Sequence, residues 1–168
     1  MRQSTHQQGR PGPRLAFSCY VFTSDARLLL TMRGQTKKTW PGVWGDSCHG
    51  HTEPGESTTD AVVRALRDEL GLTAAVAEPV LPAIRCLTAA GAHEPCAVYR
   101  VVTDERPRPD PAEVGDFEWV GWSEFVYAVA SDDIMLAPWC GPQVAALSVL
   151  GEDPVRWPVS DVAFPPAA

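Results

Sequence analysis

Residues 50–72 read GHTEPGESTTDAVVRALRDELGL, and this stretch decides the fold. Ser57, followed three positions on by Asp60, has the form of a capping box that opens a helix. Ala61, Ala65, Leu66 and Leu70 then recur at helical spacing and make one apolar face. Gly71 stands where a left-handed residue closes a helix. The spacing therefore predicts a helix over 57–70 whose apolar face packs on another layer. Its last turn carries Asp68 and Glu69, each opposing the helix dipole by roughly 0.3–1 kcal/mol, and Arg64 stands four residues before Asp68 as a partial offset. Carboxylates gathered beside a Gly-rich loop are hard oxygen ligands suited to Mg²⁺ holding a diphosphate. The plain alternative is a solvated helix end.

Outward from this helix, the upstream sequence reads as strands. LAFSCYVFT (15–23) is aromatic and β-branched, Ser24-Asp25 turns the chain, and ARLLLTM (26–32) completes a hairpin. RGQTKKTWPGVWGDSCHGHTEPGES (33–57) is a long polar-aromatic loop in which only DSCHGHT is expected to be extended, and long loops in small domains are usually functional. Downstream, AAVAEPVLPAIRCL, PCAVYRVVT and FEWVGW read as strands, ERPRPDPAEV as a surface loop, and SEFVYAVA and GPQVAALSVL as helices. Strands around one strongly amphipathic helix, with further helices at the C-terminal end, give an α+β domain over residues 15–150 with a mixed sheet. Residues 1–14 are expected to be a flexible arm or lid, and 151–168 a Pro-rich C-terminal tail.

The chain has 168 residues, 45% of them apolar, which is enough for one domain with a core of its own. A net charge of -7 argues against generic nucleic-acid binding and anionic membrane surfaces. Five cysteines without a CxxC pair fit neither a disulfide framework nor a zinc knuckle, so they are read as reduced and the protein as cytoplasmic. No apolar run approaches the ~18 residues of a membrane helix. A monomer or a homodimer is expected.

The order Gly50, five residues, Glu56, seven residues, then RALRDELGL resembles the Nudix box, G-x5-E-x7-R-E-U-x-E-E-x-G-U with U aliphatic. Two positions depart from it, Ala65 and Asp68 standing where the box has Glu. LAFSCYVF, LLLTMRGQTKKTWPGVWGDSCHGH, PGES, AVVRALRDELG and HEPCAV further resemble type I isopentenyl-diphosphate isomerases, Nudix-fold enzymes that move a double bond through a carbocation-like intermediate. The resemblance implies an α/β/α sandwich and a Mg²⁺-bound prenyl diphosphate as substrate. It also implies a site in which Arg33 and Lys37 grip the diphosphate, Glu69 with Asp68 binds Mg²⁺, Glu94 is the acidic group and Trp139 faces the cation.

The departures are selective. At the place of the family's catalytic Cys this chain has His49, while Cys48 points to the other face of an extended segment and is read as a small buried hydrophobe. Of the family's His-rich second metal site, His51 and Glu94 survive, whereas Arg14, Gln7 and Ala92 stand at the other three ligand positions. That site is expected to be lost, with the permanent charge of Arg14 standing in for the metal, or else rebuilt from His6, His49 and His93. Cys86 replaces the Tyr that assists the acid. The grip on a Mg-diphosphate is thus retained while the acid-base residues differ. The leading expectation is an enzyme that protonates the alkene of a prenyl diphosphate and carries out isomerisation or terpene-type cyclisation, with His49 as base, Glu94 or Asp46 as acid, and Trp40 and Trp44 walling off the hydrocarbon. The alternatives are a Nudix hydrolase using Mg²⁺-activated water and a non-catalytic diphosphate-binding protein.

Overall fold

The apolar run after Arg14 becomes the central strand β1 (Ala16–Phe22), buried at every position. The structure, a computed structural model, describes residues 14–73, 75–87 and 91–161. β1 pairs antiparallel with β2 (Arg27–Arg33) and β4 (Cys48–His51), and parallel with β6 (His93–Val102). β6 pairs antiparallel with β5 (Glu78–Leu87), and β2 with β3 (Trp44–Gly45) and β7 (Val114–Gly121). The sheet is mixed and seven-stranded.

Alternation along β1 separates two cores, because successive side chains of a strand point to opposite faces. Phe17, Cys19 and Val21 pack with Ala61, Val62, Leu66 and Leu70 of helix α1 (Thr58–Leu70). Tyr20 and Phe22 pack on the other side with Trp122 and Phe125 of α2 (Trp122–Ala130) and with Val144 and Leu147 of α3 (Cys140–Ser148). Helices on both faces of a sheet are the α/β/α sandwich expected from the sequence. A strand covered on both sides must be apolar throughout, which is why β1 reads as a continuous run rather than an alternating one.

Helix α1 begins and ends as its sequence predicts. Ser57 Oγ accepts from the Asp60 N–H, and the Asp60 carboxylate accepts in turn from the Ser57 hydroxyl at 2.7 Å. Gly71 closes it at φ 66°, where a Cβ would also stand 2.9 Å from the carbonyl oxygen of Arg108. Glycine is therefore required there for both conformation and space.

Two boundaries differ from the sequence reading. β7 begins at Val114, inside the stretch read as loop, because Val114 pairs with Arg33 across a bulge in β2. β3 forms within the long loop, through pairing of Trp44 with Met32. The C-terminal segment is also more tightly held than an extended tail. Pro154–Arg156 form a 3-10 turn, and Trp157 is buried edge-on against Phe22 and Trp122, with ring centroids 5.4 and 5.1 Å away. The buried Arg100 guanidinium donates to the carbonyls of Pro154, Val155 and Trp157 and pairs with Glu78. Proline-rich composition excludes regular structure but not packing. The arm over residues 1–13, with His6 and Gln7, lies outside the described residues. Among those described, no helix is long and apolar enough to cross a membrane.

Candidate active site

β4, the end of β2, the loop after it and the last turns of α1 enclose a cleft of about 770 Å³. Arg14, Arg33, Lys37 and Arg64 line it together with His49, His51, Asp68, Glu69, Glu94 and Trp139. Nine of the ten residues that the sequence singled out thus meet in one cavity, and Asp46 lies directly beneath, in a small pocket that Arg33, His49, Glu69 and Trp139 share. The cations make the cleft a local anion site on a chain of net charge -7.

Strand alternation in β4 sets the proton-handling groups. Cys48 is buried against Cys19 of β1, and the hydrogen bond with that neighbour, then burial, hold its thiol well above the ordinary range. His49 and His51 share the other face, their rings 6.2 Å apart and nearly perpendicular. The His49 ring stacks on Trp139, with centroids 4.3 Å apart and planes at 21°, and its Nδ1 lies 2.9 Å from Ser18 Oγ. Burial, with His51 and the Arg33 charge nearby, pushes the His49 pKa down to about 3, so the ring is neutral near pH 7. Trp139 is 5% exposed, and the Arg33 guanidinium lies over its ring at 5.6 Å. One face of the Trp139 ring is therefore occupied by a resident cation.

Asp46 is 4% exposed. Its Oδ1 accepts from Trp139 Nε1 at 3.1 Å, while Oδ2 has no hydrogen-bond partner and stands 3.9 Å from His49 Nδ1. Burial raises its pKa to about 7, against the opposing hydrogen bonds and the Arg33 charge. A carboxyl that titrates near neutrality beside a neutral imidazole is a pair able to carry a proton in either form.

The box residues divide by burial. Glu69 faces inward, and burial and then the Glu113 carboxylate raise its pKa to about 7. Asp68, one residue earlier, is at the rim, half-exposed and hydrogen-bonded to Arg67 at 2.8 Å, which lowers its pKa. The pairing of Arg64 with Asp68 expected from spacing does not form. Arg64 instead bonds both carboxylate oxygens of Glu56, at 2.8 and 2.9 Å, and donates to the His51 carbonyl at 3.2 Å. That fork lowers the Glu56 pKa to about 2 and ties the box helix to β4. Lys37 is ion-paired with Glu113, so of the lining cations only Arg14 and Arg33 lack a carboxylate partner among the described residues.

Across the cleft, His51 Nε2 and Glu94 Oε1 are 3.0 Å apart. Arg14 Nε donates to the Thr52 carbonyl at 3.3 Å, fastening the chain at the cleft entrance. His93 is exposed at the start of β6. Among the described residues, no three or more His, Cys, Asp or Glu side chains gather as a metal site. Trp40, at φ 53°, stands at the rim and is 42% exposed. Trp44, in contrast to the expectation from its place in the loop, turns away into the core beneath α2 and α3.

Residues 12–140 match the NUDIX domain family. The isopentenyl-diphosphate Delta-isomerase of Saccharopolyspora erythraea is 43% identical over 158 residues, a match that spans 92% of this chain and 81% of the relative. The chain belongs to the isopentenyl-diphosphate isomerase family. Enzymes of that name from Rhizobium rhizogenes and Kocuria rhizophila are 40% and 39% identical to this family member, over 88% and 86% of its length and 73% and 82% of theirs. Solved structures resemble it in fold. The MutT protein of Methanosarcina mazei superimposes with a TM-score of 0.67 at 16% identity, over 79% of this chain and 91% of the other. A MutT NUDIX hydrolase of Burkholderia pseudomallei does so with 0.58 at 23%, over 79% and 95%.

Three groups of this isomerase-family site escaped the sequence reading. Glu113 sits in the Pro-rich stretch read as surface loop, and nothing local indicates that the loop folds back over Lys37. Ser18 and Gln143 are fully buried and bonded to each other at 2.9 Å. Their signal was present: a polar residue inside an apolar strand and another inside an apolar helix, each of which needs a partner when buried.

Proposed function

We propose that this chain acts on a Mg²⁺-bound prenyl diphosphate by alkene protonation and carbocation chemistry, with the diphosphate retained, giving an isomerised or cyclised product. The observation that carries this reading is the meeting, in one cleft, of two arginines without a carboxylate partner among the described residues, an aromatic wall and several proton-handling groups. Arg33 and Arg14 hold the diphosphate, and Lys37 joins them on leaving Glu113. Drawing Arg33 toward the diphosphate takes its guanidinium off Trp139 and opens that ring to positive charge developing on the hydrocarbon. Trp40 at the rim and Trp139 inside shield the intermediate from water. His49 and Glu94 face the hydrocarbon from two sides as the proton-transfer pair, with Asp46 as the buried carboxyl behind His49.

The residues fit a hard divalent cation. Glu69 is a half-buried carboxylate to which no described side chain donates, Glu113 lies near it, and Asp68 stands at the rim. Glu69 and Asp68 would hold Mg²⁺, which when bound would supply positive charge to neutralise the diphosphate beside the box helix. The family's His-rich second site is not retained in this reading, because His51 is committed to Glu94 and Arg14 supplies positive charge at the entrance.

The test is to incubate the purified full chain with Mg²⁺ and prenyl diphosphates of five to twenty carbons and identify the products. An isomerised or cyclised diphosphate supports the proposal. Phosphate release would instead make it a hydrolase, and binding with unaltered substrate a carrier. His49→Ala and Glu94→Gln should each lower turnover by ~10²–10⁴ with diphosphate affinity nearly kept, and wild-type rates in both would remove the assigned pair.

A further inference from the structure

Ser18 interrupts an apolar strand, is 0% exposed, and touches three hydrogen-bonding groups at once. A serine hydroxyl has one proton to give and two lone pairs to fill. Gln143 Nε2 donates to Ser18 Oγ at 2.9 Å, and the Cys96 thiol donates to the same oxygen at 3.7 Å. The third contact is His49 Nδ1 at 2.9 Å. The Gln143 amide and the Cys96 thiol, which is also 3.7 Å from the Ala97 carbonyl, occupy the lone-pair side of Oγ, and this directs the hydroxyl proton to the acceptors beyond it, His49 Nδ1 at 2.9 Å and the Asp46 carboxylate. The Gln143 amide is held in the orientation this requires. Its Oε1 accepts from the Tyr20 phenol at 2.9 Å, and its Nε2 also donates to Cys86 Sγ at 3.0 Å. Tyr20, Ser18 and Gln143 are each 0% exposed, so bulk solvent does not compete for these bonds.

We propose that Ser18, oriented by Gln143, is a positioning residue that fixes His49 as its Nε2–H tautomer, so that the ring turns an N–H donor rather than a lone pair toward the cleft. A proton on Nδ1, in the other tautomer or in the imidazolium, would point at an oxygen whose lone-pair side is already occupied. Nε2 has no partner among the described residues, and His49 lines the cleft on that side. The direction of hydrogen bonding thus runs from Tyr20 through Gln143 and Ser18 to His49 and ends at the substrate. It sets the polarity of the proton-transfer pair: Nε2 gives its proton to the substrate as Nδ1 takes one from the Asp46 carboxyl, whose Oδ2 is 3.9 Å away, so the ring stays neutral and Asp46 is left as the carboxylate, while Glu94 opposite takes a proton from the substrate. That polarity rests on the proposed function, whereas the tautomer does not.

The experiment is a long-range ¹H–¹⁵N correlation spectrum of the full chain labelled at its 4 histidines, at neutral pH, with His49 assigned by the signals lost in His49→Gln. Wild type should show His49 Nδ1 in the unprotonated range and Nε2 in the protonated range. Ser18→Ala and Gln143→Leu should each lose this single-tautomer pattern, and Ser18→Thr, which keeps the hydroxyl, should restore it. A wild-type spectrum with the proton on Nδ1, or on both nitrogens, would overturn the proposal without recourse to any variant. So would a Ser18→Ala spectrum identical to wild type. If instead the wild-type tautomer is as stated but no prenyl diphosphate is converted, the functional reading fails and the positioning role stands.

Discussion

Replacing Asp46 by Asn should make the protein more stable, and increasingly so as pH rises. The carboxyl is 4% exposed with one oxygen unpartnered, and its pKa stands at about 7 in the fold against 3.8 when solvated. A displacement of that size corresponds to ~4 kcal/mol. Because the folded chain binds the proton more tightly than the unfolded one, the carboxyl is harmless below about pH 4, where both states are protonated. It then destabilises the fold progressively until about pH 7, where the folded form also ionises. His49 works in the opposite sense. Its pKa is depressed to about 3 in the fold, so the unfolded chain binds the extra proton and stability rises with pH up to the solvated value of 6.5. In wild type the two slopes oppose each other, and Glu69, raised to about 7, adds to the falling one. Asp46→Asn keeps the acceptor for Trp139 Nε1 and removes the charge, placing an amide NH₂ where Oδ2 stood, 3.9 Å from His49 Nδ1. Urea unfolding of both proteins in chelator, from about pH 4 to pH 8, should therefore give a stability difference that grows in favour of the variant by up to ~4 kcal/mol. A difference that stays flat across that range would refute a buried, unpaired carboxyl at Asp46.

Three further outcomes are expected. Glu69→Gln should abolish Mg²⁺-dependent turnover and weaken Mg²⁺-dependent diphosphate binding measured by calorimetry, and unchanged behaviour would remove Glu69 as the metal ligand. Elemental analysis of protein purified without added metal should find no stoichiometric Zn²⁺, and one equivalent would show that the His-rich site has been rebuilt. Trp157→Ala should cost about 3–5 kcal/mol in denaturant unfolding, as for other large buried aromatics, because the ring is 3% exposed between Phe22 and Trp122. A loss below about 0.5 kcal/mol would mean that the C-terminal segment is not held on the domain.

What the sequence alone determined is whatever depends on short spacings. The cap at Ser57, the apolar stripe of α1 and the stop at Gly71 follow from a period of 3.6 residues and a single left-handed position, so the box helix was legible before any contact was known. The facing of His49 with His51, and of Cys48 away from them, followed from the period of two in a strand. The gathering of Arg33, Lys37, Glu69, Glu94 and Trp139 was legible only through a family resemblance, because those residues are far apart in the chain and no local rule brings them together. Tertiary structure alone decided who pairs with whom. Arg64 chose Glu56 over Asp68, Glu113 folded back onto Lys37, Arg33 settled over Trp139, and Trp157 entered the core from a Pro-rich segment. It also decided the charge states, since the pKa values of Asp46, His49 and Glu69 are displaced mainly by burial. Burial depends on every layer of the fold at once, and spacing along the chain carries no measure of it.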